Sequence, residues 1–469
     1  MDMTFDYPET KTLRVKLDQF DKGLDKRRDE SLMPERPFDS YNFCLSGGSL
    51  VDGMGIKYYS VNVEGVETVP ILKDERIKNV YFYKRFDVEE NSYDNRLIVY
   101  CKSGKLYELP LSGGEFTLLD KTFSVAPKAV NYTLNGEDVI IFSSETGISV
   151  YDGETFSDYS APQITSMCVH AERLFVTTGG ESTTLWFSEN FDPTNWYVSL
   201  DEAGFIDFCD GLGKVNRVIE FEGNVFIFRD TGITKLSGYF DQSEFFATNV
   251  SVSKDVIYPG TIADCGKYVM YLTSDGFYSF NGSYSIRVMK GLTPALVGAD
   301  NSIAGAAYFN GKYYCMLNVK IGDNIERRMV VYDLTDGSYY LTNGIDVRDI
   351  LPVYEDVNKL LFVVGENQTL GELDKKCMLF GKALRKLWVS NRSSFGVDKI
   401  KTLAKINICS EVDSIVRIRS DFGERAVFVS AAKSVKSIPV GLKGKYFTIC
   451  VESDYPAANV NSVSVQLRY

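Results

Sequence analysis

One histidine occurs in the 469 residues of this chain. Zinc, haem and non-haem iron sites usually draw on several imidazoles, so most metal centres are excluded and His170 is left as the sole candidate partner for a Ser-His or Cys-His nucleophile. No C-x-x-C pair exists. The nine cysteines (Cys44, Cys101, Cys168, Cys209, Cys265, Cys315, Cys377, Cys409, Cys450) stand singly and are odd in number. That pattern reads as reduced thiols, mostly small buried hydrophobes, in a protein folded in cytoplasm. No apolar run approaches the roughly 18 residues of a membrane helix. The opening MDMTFDYPETK has neither a basic region nor an apolar core, so no secretory signal is expected. The N-x-S/T matches at Asn131, Asn249, Asn281, Asn367 and Asn391 then read as chance. Positive charge is also short: 51 Lys and Arg face 63 Asp and Glu, a net of −12, which repels nucleic acid.

Aromatics are plentiful. Tyr and Phe number 29 and 30, which favours strands over helices, while 44% hydrophobic and 24% charged residues place the chain among folded proteins. A unit recurs: a polar or Gly turn, a short apolar strand, a second turn and another strand. The lead strands are NRLIVY (95–100), EDVIIF (137–142), ERLFVT (172–177), GNVFIF (223–228), GKYVMY (266–271), GKYYCM (311–316) and NKLLFV (358–363). Their second residues are 42, 35, 51, 43, 45 and 47 positions apart, a mean of about 44. Four strands every 40–50 residues is the mark of a β-propeller. The turns at Asp152-Gly153 and Asn281-Gly282, and the DLTDG segment 333–337, carry the residues that tight hairpins need. The expected fold is all-β, a propeller of about six or seven blades over 61–372.

Two regions stand outside the repeat. Residues 1–60 form an N-terminal arm with polar and Gly-rich turns, expected to pack with the C-terminal region. From 373 the character changes. Residues 375–386 are basic with helical potential, and alternating segments follow at 405–409, 415–419, 426–429, 446–451 and 463–467. Period-2 alternation predicts a β-sandwich-like domain over 373–469. Residues 373–469 hold 17 basic and 8 acidic side chains, a net of +9 against −21 for the remainder. The two ends therefore present opposite fields, available for pairing within the molecule or with a partner.

The search for chemistry returns no catalytic, cofactor-binding or metal residues. His170 ends an apolar segment beside Cys168 and reads as structural. The segment Asp210-Gly-Leu-Gly-Lys214 misses a phosphate loop, having Phe208 and Val215 where Gly and Ser/Thr are required. Segment 333–337 reads as a hairpin turn and not as a calcium loop. Segment 188–196 lacks the Asp and Gly positions of a sialidase Asp-box. Carboxylates paired only in space, as in a propeller glycosidase, leave no mark in sequence. A receptor- or carbohydrate-binding propeller would show repeated exposed Trp or a recurrent polar set in each blade. Three Trp (Trp186, Trp196, Trp388) and no evident polar repeat make that the weaker alternative.

The segments VKLDQFDKGL (15–24), RRDESLMP (27–34), YNFCLSGGSL (41–50) and GMG (53–55) resemble the start of the tail nozzle proteins of tailed bacteriophages, also called packaged-DNA stabilisation proteins. The likeness continues in RLFV (173–176), LWFSE (185–189), DPTNW (192–196) and VIEFEGNVFIFRDTGI (218–233), in order from about 15 to 290. The resemblance implies a propeller decorated by other domains, with no catalytic residues and no cofactor. It implies a homo-oligomer, a hexameric ring at the distal end of a short tail. Partners would be upstream tail adaptor or portal-proximal ring proteins, possible tail fibres and packaged DNA touched without sequence preference. The implied location is the virion tail, after synthesis in host bacterial cytoplasm.

Overall fold

Tight turns dictate the pairing of strands. Asn135-Gly136, Glu222-Gly223 and Asn310-Gly311 have φ of 55° and 87°, 47° and 72°, and 46° and 80°. Two successive positive φ angles give the twist that joins antiparallel neighbours. In this computed structural model the described residues are 11–17, 25, 37–46, 48–63, 65–87, 91–179, 182–199, 202–238, 241–354, 357–456 and 458–469. Other parts of the expected arm, including its basic segment 26–28, lie outside them.

The turns assemble seven antiparallel blades around an axis. Blade 1 is Ile77–Tyr83, Arg96–Cys101, Lys105–Pro110 and Thr117–Thr122, from axis to rim. Blade 2 is Ala129–Leu134, Glu137–Ser143, Gly147–Tyr151 and Phe156–Ser160. Blade 3 is Ile164–His170, Arg173–Thr178, Thr184–Phe187 and Gly204–Asp207, and blade 4 is Val215–Phe221, Asn224–Arg229, Gly232–Ser237 and Phe246–Val252. Blade 5 is Ala263–Asp264, Val269–Leu272, Phe277–Phe280 and Ser285–Val288. Blade 6 is Gly305–Phe309, Lys312–Ile321, Asn324–Asp333 and Tyr339–Leu341. Each lead strand of the repeat is the second strand of its blade. The long 51-residue interval is a loop between the third and outer strands of blade 3.

Blade 7 takes Val347–Val353, Lys359–Val364 and Thr369–Asp374 from one end of the repeat and Gly55–Tyr58 from the other. Gly371 to Asp374 pair antiparallel with Tyr58 to Gly55. The propeller therefore begins at 55 and not at 61, because its outer strand is borrowed from the arm. Gly55 is required there: a Cβ would fall on the Lys376 carbonyl. Segment 375–386 is not helical. Met378–Leu379 and Lys382–Ala383 form a hairpin, and Leu379 pairs with Ile56.

The core is layered between blades. Seven apolar clusters each join one blade to the next. Tyr83, Ile98 and Phe142 bind blades 1 and 2, and Phe175, Val218 and Ile227 bind blades 3 and 4. Val80, Leu97, Val353 and Leu361 close the ring between blades 7 and 1. An eighth cluster fills a β-sandwich around Trp388, Ile406, Val416, Phe447 and Val463, all fully buried. One sandwich sheet holds Phe43–Ser46, Ser49–Asp52, Asn459–Arg468, Lys401–Ser410 and Lys436–Gly444, with Thr12–Lys16 paired to Asn459–Arg468. The other orders Pro37–Tyr41, Lys386–Ser390, Phe447–Ser453, Ser414–Ser420 and Gly423–Val429, and Tyr41 pairs with Leu341 of blade 6. Blade 6 and that sheet thus form one nine-stranded sheet. Asn42 reinforces the junction, its side-chain amide donating to the carbonyls of Asn343 and Arg385, both at 2.8 Å.

Candidate functional site

The innermost strands of blades 1, 3, 4 and 7 open with the same pattern, apolar-polar-polar-apolar: Ile77-Lys78-Asn79-Val80, Ile164-Thr165-Ser166-Met167, Val215-Asn216-Arg217-Val218 and Val347-Arg348-Asp349-Ile350. Two polar residues in succession break period-2 alternation, and the backbone absorbs the extra residue as a bulge in all four places. A bulge re-aims the side chain beside it. Here the third residue of each pattern, Asn79, Ser166, Arg217 and Asp349, lines one axial cavity of about 430 Å³. Lys128, from the connection between blades 1 and 2, lines it as well. This is a recurrent polar set at one position per blade, which the sequence reading did not find. The signal was present, as four interruptions of the strand pattern, but only strand pairing brings them into register.

The same residues stitch neighbouring blades. Asp349 Oδ2 accepts from the Val80 backbone N–H at 2.9 Å, across the seam where the ring closes. Ser166 Oγ accepts from Val218 N at 3.2 Å, and Arg217 Nη1 donates to Pro259 O at 2.7 Å. Three blade seams thus carry a polar bond at the axis. Four charged side chains line the cavity, Lys128 and Arg217 against Glu220 and Asp349. No ion pair among the described residues includes Lys128 or Arg217, and the Lys128 ammonium makes no hydrogen bond among them. Partial desolvation, then the neighbouring Arg217 charge, push the Lys128 pKa down, against the opposing attraction of Asp349. Burial also lowers that of Arg217. Burial raises the Asp349 carboxyl to about 6, against the opposing hydrogen bonds from Val80, Ile350 and Asn79.

A groove of about 760 Å³ leads to this cavity from one face. It is lined by 121–128, by the blade 2 hairpin 143–146 and by 163–165, and it shares Pro127, Lys128 and Thr165 with the axial cavity. Glu145, Lys121 and Asp158 are its charged groups apart from Lys128, and the Lys121 ammonium pairs with Asp158 at 2.5 Å.

The segments singled out for chemistry fall elsewhere. His170 is buried at the end of the inner strand of blade 3, its ring 6.3 Å from that of Phe175. Burial pushes the Cys168 thiol far up, the opposite of an activated nucleophile. Residues 210–214 form the connection into blade 4, held by buried Arg229, which donates to Gly213 O at 2.8 Å and pairs with Asp210. In segment 188–196, Asp192 accepts from Thr194 N at 2.8 Å, and buried Arg173 donates to the carbonyls of Ser188 and Glu202 at 2.8 Å each, which pins both ends of the loop. Segment 333–337 is a turn in which Asp333 Oδ1 accepts from Thr335 N at 3.0 Å. Among the described residues no three His, Cys, Asp or Glu gather as a metal site. None of the nine cysteines is in a disulfide.

No known protein family matches the sequence, and no curated protein matches it. Among solved structures the chain is similar to BBS1N in its crystal structure in complex with ARL6DN, soaked with lead. The TM-score is 0.44 at 12% identity, over 68% of this chain and 96% of that one. A mercury-soaked crystal of the same complex gives a TM-score of 0.44 at 13% identity, over 64% and 92%.

Proposed function

We propose that this chain is a structural virion protein, the tail nozzle of a short-tailed bacteriophage. Copies form a ring, by the family resemblance a hexamer, that closes the DNA exit channel, retains packaged DNA and opens for ejection. The observation that carries this reading is the continuous nine-stranded sheet from blade 6 into the sandwich, which makes a strut of opposite charge at its ends. Residues 55–372 hold 26 basic and 44 acidic side chains, and residues 373–469 carry the net of +9. An acidic propeller gives a DNA duplex a wall without adhesion, and the basic sandwich meets an acidic neighbour.

Two surfaces support head-to-tail closure. Residues 174–213 contain seven acidic side chains and no Lys or Arg, and Phe191, Tyr197 and Phe205 are exposed there. Gly423–Val429 is the terminal strand of the nine-stranded sheet, with exposed Phe422 and Phe428 and with Arg425, Lys433 and Lys436 close in sequence. An unpaired edge bearing apolar and basic groups suits an acidic, aromatic surface on the next copy, and repetition of such a contact closes a ring. Upstream adaptor or portal-proximal proteins are the partners in this reading.

Cryo-electron microscopy of the intact particle tests it. Density for the chain in a ring on the tail axis is expected. Its placement in a fibre or spike off that axis, or its absence from virions, overturns the nozzle reading in favour of a receptor-binding propeller, which the polar ring at the axis favours.

A further inference from the structure

We infer that the outward face of the sandwich sheet built on Asn459–Arg468 binds the phosphate backbone of duplex nucleic acid without reading its sequence. This goes beyond the ring assembly and is a property of the single chain.

The face follows from strand alternation. In Thr12–Lys16, Asn459–Arg468, Lys401–Ser410 and Lys436–Gly444, side chains such as Val15, Val465, Leu467, Leu403, Ile406 and Val440 turn into the sandwich core. The residues between them point the other way, to solvent. A bulge at Ala404 keeps Lys405 outward between inward Leu403 and Ile406. Pairing then sets the outward residues in rows: Lys443, Thr402, Arg468 and Thr12 in one, Pro439, Lys405, Gln466 and Arg14 in the next. Two cations in a row are separated by one strand, about 10 Å, and the rows by about 7 Å.

Lys405, Lys443, Arg468 and Arg14 are all exposed. Arg14 donates to Ser464 Oγ at 3.4 Å, and none of these cations is in an ion pair among the described residues. Those four strands contain no Asp, no Glu and no aromatic residue. The carboxylates that border the face are engaged: Asp398 pairs with Lys445 at 2.8 Å, and Glu411 accepts from Asn461 at 3.5 Å.

The class of partner follows from this chemistry. Lys and Arg interspersed with Thr, Asn, Gln and Ser are the side chains that hold phosphate oxygens in duplex complexes, and Thr12, Thr402, Asn407 and Gln466 stand among the cations here. A protein interface would bury aromatic anchors and few lysines, and a single strand would need aromatic platforms for its bases. The face offers neither. A pleated face has no helix or ribbon to enter a groove, so its contacts stay on the backbone. Four phosphate contacts on a chain of net charge −12 make a weak, salt-labile site.

Fluorescence anisotropy of labelled duplex DNA of two unrelated sequences, titrated with the full chain, tests the proposal. Binding is expected in about 50 mM salt, equal for the two sequences, and roughly a hundredfold weaker in about 200 mM, the slope for four phosphate contacts. Lys405→Gln and Arg468→Gln should each flatten that slope by about one contact, whereas Lys267→Gln, exposed on the propeller, should leave it unchanged. Lys405 and Arg468 are surface side chains, so the fold is kept in both variants. Absence of binding in about 50 mM salt overturns the proposal, as does an unchanged slope in the Lys405→Gln, Arg468→Gln double variant. Preference for one sequence overturns the backbone assignment, and heparin bound where the duplex is not makes the face a site for an acidic glycan instead. None of these outcomes depends on whether copies form a ring.

Discussion

Ala171 and Glu172 sit at φ of 46° and 58° in the first turn of blade 3, the position filled by Asn-Gly, Glu-Gly and Asn-Gly in blades 2, 4 and 6. A side chain with a Cβ is strained there by about 1–2 kcal/mol, more for Ala than for Asn. Ala171→Asn combined with Glu172→Gly is expected to stabilise the protein by roughly 1 kcal/mol, with the gain reduced by glycine's greater freedom in the unfolded chain. The urea midpoint should rise at unchanged slope. Asp349 gives a pH-dependent case. Its folded pKa, about 6, lies above the ordinary carboxylate value, so the folded state holds its proton more tightly than the unfolded chain. The stability this gives is full below the ordinary value and is lost as pH rises through about 6. Asp349→Asn should therefore melt like the parent near pH 4 and above it near pH 8. Equal shifts at both pH values would refute this account. At this scale the sequence was half legible. The Gly and Asn turns announce themselves, whereas Arg217 and Asp349 read as ordinary polar residues until pairing places them on one axis.

Strand Gly55–Tyr58 decides whether the ring is closed. Ile56 is fully buried in the cluster between blades 6 and 7, with Met316, Val347 and Phe362. Glu372, buried in the neighbouring strand, pairs with Lys57 at 2.7 Å and Lys359 at 2.6 Å, so the clasp has an ionic and an apolar half. Ile56→Ala should cost about 2–5 kcal/mol, the range for deleting a buried side chain. The drop in urea midpoint measures it, and a loss below 1 kcal/mol would mean that the strand contributes little to closure. The seven lead strands were legible because each is local, apolar and flanked by turn residues. The clasp was not, because its partner lies some 300 residues away and no local pattern encodes a long-range pairing. The 375–386 segment misled for a different reason: a short basic stretch carries weak propensity, and its pairing with Ile56 outweighs it.

At the scale of the whole molecule, charge and architecture coincide. The period of about 44 residues revealed the propeller, whereas the change of pattern near 373 falls about a dozen residues before the sandwich strand Lys386–Ser390, because the 378–383 hairpin belongs to the sheet of blade 7. That the two share a sheet was hidden, since Tyr41 and Leu341 are joined by a parallel contact across 300 positions. With a net charge of −12, the full chain should give at most weak, sequence-independent retardation of duplex DNA at physiological salt. Tight retardation in a gel shift would refute the reading of the propeller as a non-adhesive wall.

The borrowed strand also sets a schedule. Synthesis at about 5–20 residues per second puts the clasp into the cell roughly 15–60 s before Thr369–Asp374, the strand it must meet. Thr12–Lys16 waits longer still, for Asn459–Arg468 at the other end of the described chain. A nascent copy is therefore an open ring with a bare apolar seam at blade 7 until Thr369–Asp374 has been made. The ring can close only after the last blade is made, so truncated copies expose a seam that housekeeping proteases and chaperones can recognise.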